Sequence, residues 1–116
     1  MTFHADVPQH ADLVARLAPI RAHFLASLAP RRERLATFLA AHDALPPPAL
    51  MRQLQEDAHK IRGVALTLGF DALGRAAGVA DDLLDPWQKA ADPLELPEPL
   101  PAALAALLAE IDAATA

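Results

Sequence analysis

Apolar residues recur at steps of three and four along most of this chain, the spacing that places side chains on one face of an α-helix. The sequence has no alternating run of β-branched residues and no hairpin turn dipeptide, so strands are not indicated. The pattern therefore predicts an all-α protein. One apolar stripe is continuous over five turns: Leu50, Leu54, Ala58, Ile61, Ala65 and Leu68.

Proline and glycine positions divide the chain into helical segments. We expect a short helix over about residues 9–18 and a longer second helix from about residue 20 to 42. The prolines at 46–48 close that segment, because proline is tolerated only in the first turn of a helix. The next helix is predicted over about 48–68, and Gly69 is well placed to end it.

The C-terminal half is expected to hold two more helices. The first follows Asp71 as its cap and ends at Asp85 and Pro86, and a proline-rich linker over residues 86–99 leads to the last. Four long helices with one apolar stripe each predict an antiparallel up-down four-helix bundle, here with a short extra N-terminal helix. We expect residues 1–116 to form a single domain, with residues 1–8 flexible.

Composition narrows the class of protein. A chain of 116 residues with 53% hydrophobic residues suits one compact core, and the absence of cysteine excludes disulfides and zinc–thiolate sites. A net charge of −5 argues against nucleic acid as the main partner. No leader-like start and no apolar run of about 18 residues is present, so no membrane partner is expected and the cytoplasm is the expected location. No metal site is expected, since four histidines lack ligand spacing: His4, His10, His23 and His42.

The candidate chemistry lies in one helix. His59, Arg62, Gly63 and Leu66 follow the i, i+3, i+4, i+7 rule and share one face, while the apolar stripe leaves His59 at its solvent-facing edge. A glycine in mid-helix costs roughly 1 kcal/mol relative to alanine. Gly63 therefore indicates close approach of another molecule one turn beyond the histidine.

This segment resembles the signature of histidine-containing phosphotransfer (HPt) domains, and is also similar to the phosphotransfer domain of chemotaxis-type histidine kinases. That signature has histidine, an aliphatic residue, Lys or Arg, and glycine, followed by a small-residue stretch that ends in an aliphatic residue and glycine. The matching positions are His59, Ile61, Arg62, Gly63, Leu68 and Gly69. Two positions depart from the common pattern: Arg62 replaces lysine, and Val64 stands where a small residue is frequent.

Helix geometry adds a partner for the histidine. If the turn after the signature helix is centred at residue 70, His59 and Asp81 each lie about 16 Å from it, at the same height. A carboxylate there would accept a hydrogen bond from one imidazole nitrogen and turn the other outward. The family commonly has the longer glutamate at this offset, so Asp81 is expected to need a bridging water, and Asp82 is the alternative.

The resemblance implies a phosphorelay protein in which Nε2 of His59 exchanges phosphoryl groups with aspartates of receiver domains. An imidazole is largely neutral at pH 7, so its lone pair is available, and Arg62 would stabilise charge on the phosphoryl oxygens. Gly63 would admit the receiver, and three further residues would form part of the docking surface: Gln55, Lys60 and Leu66. The chain itself is expected to need no cofactor, since magnesium would belong to the receiver. We expect a monomer, and the abundance of Ala, Leu, Pro and Arg suggests a bacterial source.

Two other functions remain open. One is a phosphorylation-independent helical adaptor that docks a receiver or histidine kinase and regulates it. The other is the phosphoacceptor domain of a chemotaxis-like kinase, phosphorylated directly by a catalytic domain. The chain has no glycine-rich phosphate loop with which to bind ATP itself, so it is expected to carry phosphoryl groups without being a kinase.

Two clusters are given structural interpretations. Arg31, Arg32 and Arg34 are interpreted as a solvated basic turn, and Gly74 and Gly78 as a close contact between helices.

Overall fold

A computed structural model describes the backbone of residues 6–41, 46–89 and 96–116, and side chains from residue 12 onward. Within these ranges the chain forms four α-helices and no strand, which confirms the all-α prediction: α1 Asp6–Ala40, α2 Pro48–Ala65, α3 Asp71–Lys89 and α4 Leu100–Thr115. None of the helices in these ranges is both long and apolar enough to cross a membrane. Of the residues predicted to be flexible, 1–5 lie outside the described residues, and 6–8 belong to α1.

The four helices surround one hydrophobic core. Each helix packs against two neighbours, in the cyclic order α1, α2, α3, α4 and back to α1. The predicted stripe of α2 is buried apart from Leu50, which is half-buried. The largest fully buried side chains come from every helix: Leu28, Leu35, Met51, Leu54, Ile61, Leu73, Leu84, Leu100, Leu104, Leu107 and Ile111.

The N-terminal helix differs from the prediction. A separate short helix over 9–18 was expected, but α1 runs without interruption for 35 residues, with Pro19 and Pro30 inside it. A proline deprives the carbonyl four residues earlier of its hydrogen bond. Those carbonyls belong to Ala15 and Ala26, and all four positions are exposed, so water can satisfy the freed groups. The prediction of an extra helix is therefore wrong.

The turn between α2 and α3 is short. The last helical residue of α2 is Ala65, three residues earlier than expected, and its carbonyl accepts a hydrogen bond from the Phe70 N–H at 2.8 Å. Gly69 has a φ of +88°, a left-handed conformation that side-chain-bearing residues rarely adopt. The predicted role of Gly69 in ending this segment is confirmed, and α3 begins at Asp71 directly after the turn.

The end of α3 also differs from the prediction. Pro86 was expected to end the helix and open the linker, but α3 continues to Lys89. The carbonyl that loses its partner belongs to Asp82 on the exposed face, and Trp87 packs against the core beyond the proline. Packing thus extends the helix by one turn past the local stop signal. Of the predicted linker, residues 90–95 lie outside the described residues.

The three arginines in the C-terminal third of α1 are not a solvated basic turn. Arg34 donates two hydrogen bonds to the buried carboxylate of Asp57, at 2.7 and 2.8 Å, and Arg31 lies 3.4 Å from the same carboxylate. Arg32 pairs with Asp112 of α4. These pairs join α1 to both of its neighbours, so the interpretation of a solvated turn is wrong.

Candidate functional site

His59 lies on α2 at the border between core and solvent. Its neighbours Ala58 and Ile61 are buried in the core, whereas the His59 side chain is 71% exposed. The position follows from the helical period, because a residue just beside an apolar stripe is turned toward its edge. The structure thus presents the imidazole to solvent on a rigid helix.

One imidazole nitrogen is held by α3. Nδ1 of His59 lies 3.0 Å from Oδ2 of Asp81, whose side chain is only 7% exposed. The two residues stand at the same height, as the helix geometry predicted, and the aspartate reaches the ring directly, so the expected bridging water is not needed. An ionised carboxylate can only accept hydrogen bonds, so this contact favours the tautomer in which Nδ1 carries the proton and Nε2 has the lone pair.

The Asp81 carboxylate is itself held in place. Gln55 donates a hydrogen bond to Oδ1 at 2.9 Å, and Arg62 approaches Oδ2 at 3.4 Å. Burial alone would raise the pKa of Asp81, but the hydrogen bonds from its three neighbours outweigh it, and the pKa lies below the usual value. The carboxylate is therefore ionised at neutral pH and remains an acceptor for the imidazole.

Arg62 lies across α3 and is paired there. Its Nη1 donates to Oδ1 of Asp82 at 2.8 Å, and this hydrogen bond raises the pKa of Arg62 above its ordinary value. The guanidinium passes over Gly78, where an added Cβ would lie 3.4 Å from Nε. The second glycine of the pair supports a similar contact, since a Cβ on Gly74 would lie 2.7 Å from Cγ of Leu66. Gly74 thus serves close helix packing, as interpreted from the sequence, whereas a Cβ at Gly78 would make only an ordinary van der Waals contact.

The remaining predicted residues divide between two surfaces. Gly63 is exposed, and a Cβ there would meet nothing within 4 Å, while Leu66 is 50% exposed one turn further on. Lys60 lines a groove of about 290 Å³ between α1 and α2, together with Val64. Gln55 is half-buried, and its amide is engaged with Asp81, so it lies behind the imidazole.

A cavity of about 470 Å³ opens beside the imidazole. Its lining is mostly polar and comes from α2 and α3: Gln55, His59, Arg62, Asp81, Asp82, Asp85 and Pro86. Among the described residues, no group of three or more His, Asp or Glu side chains is arranged to hold a metal ion. The exposed ring nitrogen can be reached by another molecule through this cavity, which holds one cation, Arg62, and three aspartate carboxylates.

A family model described as "Hpt domain" matches residues 19–114. The chain belongs to the Hpt domain family. Searches among curated proteins and among solved structures found no match. Hpt domains take part in histidine phosphotransfer within phosphorelays and interact with receiver domains.

The sequence interpretation missed one contact of this Hpt domain. It expected Arg62 to face an incoming phosphoryl group and treated Asp82 only as a substitute for Asp81. The sequence did contain a signal for the contact of Arg62 with Asp82, because the α2–α3 register that pairs residue 59 with residue 81 also pairs residue 62 with Gly78. Asp82 lies one helical turn beyond that glycine, within reach of a long side chain.

Proposed function

We propose that this Hpt domain is a phosphorelay intermediate, which accepts a phosphoryl group on Nε2 of His59 from a receiver aspartyl phosphate and passes it to another receiver aspartate. One observation carries the proposal: Asp81 binds Nδ1 of an exposed imidazole, which leaves Nε2 as the nitrogen that faces solvent. Membership of the family supplies the class of reaction.

The proposed phosphoryl transfer needs no general base. The Nε2 lone pair attacks phosphorus, the bond from phosphorus to the receiver aspartate breaks, and that aspartate recovers its carboxylate. The ring keeps its Nδ1 proton and becomes positively charged. The ionised Asp81 lies 3.0 Å from that nitrogen and would stabilise the charge as it develops. The reverse sequence transfers the group to the next receiver.

Charge on the phosphoryl oxygens needs cations in the transition state. Arg62 is the candidate within this chain, because it lies one turn from His59 and contacts the same Asp81 oxygen. We assign magnesium to the receiver and no cofactor to this chain.

The receiver is proposed to dock over the exposed face around His59. Gly63 offers open space for its backbone, and Leu66 and Lys60 present an apolar and a basic side chain beside that space. Gln55 contributes at the rim of the cavity and holds Asp81. The domain is proposed to act as a cytoplasmic monomer in a bacterial two-component system.

We also infer that neighbouring helices run antiparallel. Between α2 and α3, His59 meets Asp81 and Leu66 meets Gly74, so later residues of one helix face earlier residues of the other. An up-down order of this kind is what short connections produce in four-helix bundles.

Phosphotransfer from radiolabelled receivers tests the proposal. Purified protein would be incubated with a panel of phosphorylated receiver domains and, separately, with kinase catalytic domains and ATP. We expect acid-labile, alkali-stable label on the wild type and none on His59→Gln. His23→Gln is the matched control, because it removes another exposed histidine and should leave labelling unchanged.

The same experiment distinguishes the alternatives. If receivers bind both proteins and label neither, the domain is a phosphorylation-independent adaptor. If only a kinase catalytic domain labels His59, the domain is the phosphoacceptor of a chemotaxis-like kinase and not a relay between receivers.

A further inference from the structure

Arg62 is not free in the structure. It makes its shortest polar contact with Asp82, at 2.8 Å, and a longer one of 3.4 Å with the Asp81 oxygen that also binds His59. The guanidinium lies against α3 over Gly78, where an added Cβ would be in van der Waals contact with it, and from there it reaches both carboxylates. Arg62, the cation proposed to contact a phosphoryl group on His59, is therefore held in an ion pair with the Asp82 carboxylate.

We propose that Asp82 is a positioning residue that holds Arg62 against α3 and competes with the phosphoryl group for it. Phosphorylation of His59 then requires the guanidinium to exchange the Asp82 carboxylate for phosphoryl oxygens. This inference rests on the proposed function and deepens it, because it assigns the control of phosphoryl affinity at the same site.

The exchange of the Asp82 carboxylate for phosphoryl oxygens around Arg62 is local and noncovalent. Arg62 already contacts the carboxylate oxygen that binds the imidazole, so a rotation of its exposed side chain suffices to bring it toward the ring. Asp82 is 70% exposed and can be solvated when the arginine leaves. The pair thus opposes phosphorylation weakly and favours return of the group to a receiver, which suits an intermediate that must both accept and donate.

A small phosphodonor tests this without any receiver. Potassium phosphoramidate would phosphorylate His59 directly: the bond from phosphorus to nitrogen in the donor breaks, ammonia leaves, and a bond from phosphorus to Nε2 forms. Phosphorus NMR would follow formation of phosphohistidine and its hydrolysis. For Asp82→Asn we expect formation to be about two- to fivefold faster and the phosphohistidine to last correspondingly longer, the range typical of an exposed ion pair.

Two controls separate competition for Arg62 from simple charge repulsion. Asp85→Asn removes a carboxylate that lines the same cavity but pairs with Lys89, at 3.0 Å, and should have no comparable effect. In an Arg62→Gln background, Asp82→Asn should change neither rate. Thermal unfolding would establish that each variant is folded.

The outcomes are distinct. An equal acceleration with or without Arg62, an equal effect of Asp85→Asn, or no effect of Asp82→Asn would overturn the inference. Labelling by phosphoramidate with the expected pattern, but none by any receiver or kinase, would leave the inference standing and refute the proposed relay. A wild-type protein that phosphoramidate does not label on His59 would overturn both.

Discussion

Replacement of Gly63 by alanine should make the protein more stable and a poorer phosphotransfer substrate. The residue lies in the last turn of α2, so the cost of glycine relative to alanine in a helix interior, about 1 kcal/mol, is an upper limit there. An added Cβ would meet nothing within 4 Å, so no steric cost offsets that gain. We expect the free energy of unfolding to rise by up to about 1 kcal/mol, which for a domain of this size raises the Tm by about 4 °C.

The phosphotransfer assay should move in the opposite direction. A methyl group at Gly63 would occupy the space one turn beyond His59 that we assign to the receiver backbone, so transfer from a phosphorylated receiver should slow. Labelling by phosphoramidate, a small donor, should stay near the wild-type rate. Gly74→Ala is the matched control for the stability measurement alone, because its Cβ would lie 2.7 Å from Leu66 Cγ and should destabilise the protein by overpacking.

Two results would refute this reasoning. A Gly63→Ala protein that unfolds at a lower temperature than the wild type would mean that the glycine is needed for the fold itself. A more stable variant that exchanges phosphoryl groups with receivers at the wild-type rate would mean that no partner approaches this position.

Three further predictions concern stability and pH. The pKa of Asp81 is lower in the folded state than in the unfolded state, where it is about 4. The ionised carboxylate therefore stabilises the fold at any pH above the unfolded-state pKa. This stabilisation is lost as the pH falls through the folded-state pKa. The stability advantage of the wild type over Asp81→Asn, measured by urea unfolding, should therefore shrink below about pH 4; a constant difference would contradict this. Asp57→Asn should lower the free energy of unfolding by about 2 kcal/mol, since it weakens charged hydrogen bonds from Arg34 to a buried group, and an unchanged urea midpoint would exclude that role. Leu28→Ala should cost about 2–5 kcal/mol, because Leu28 is fully buried, and a loss below 1 kcal/mol would show that α1 is not part of the core.

Much of the fold was predictable from local pattern. The apolar stripe of α2 and the turn at Gly69 both depend on neighbouring residues, and the structure agrees with each. The same reasoning failed at Pro19 and Pro86, where the helices continue. A proline weakens a helix by a few kcal/mol. At Pro86, packing of Leu84 and Trp87 against the core on either side offsets that cost. At Pro19 the neighbouring Val14 and Ile20 are exposed, so burial does not explain why α1 continues there.

The candidate site was likewise predictable from the sequence only in part. Helical spacing alone put His59 beside Arg62 and Gly63, and an assumed turn at residue 70 brought Asp81 to the height of the imidazole. Spacing did not reveal that Arg62 is held by Asp82.

The sequence by itself determined which residues share a helical face, because the helical period depends only on position along the chain. It therefore determined the candidate histidine, its neighbours and the direction of the core. Only the tertiary structure decided which charges meet across helices, because that depends on the rotation and register of packed helices and on small residues such as Gly74 that let them approach. The pairing of Arg62 with Asp82, and of Arg34 with the buried Asp57, belongs to this second kind of information.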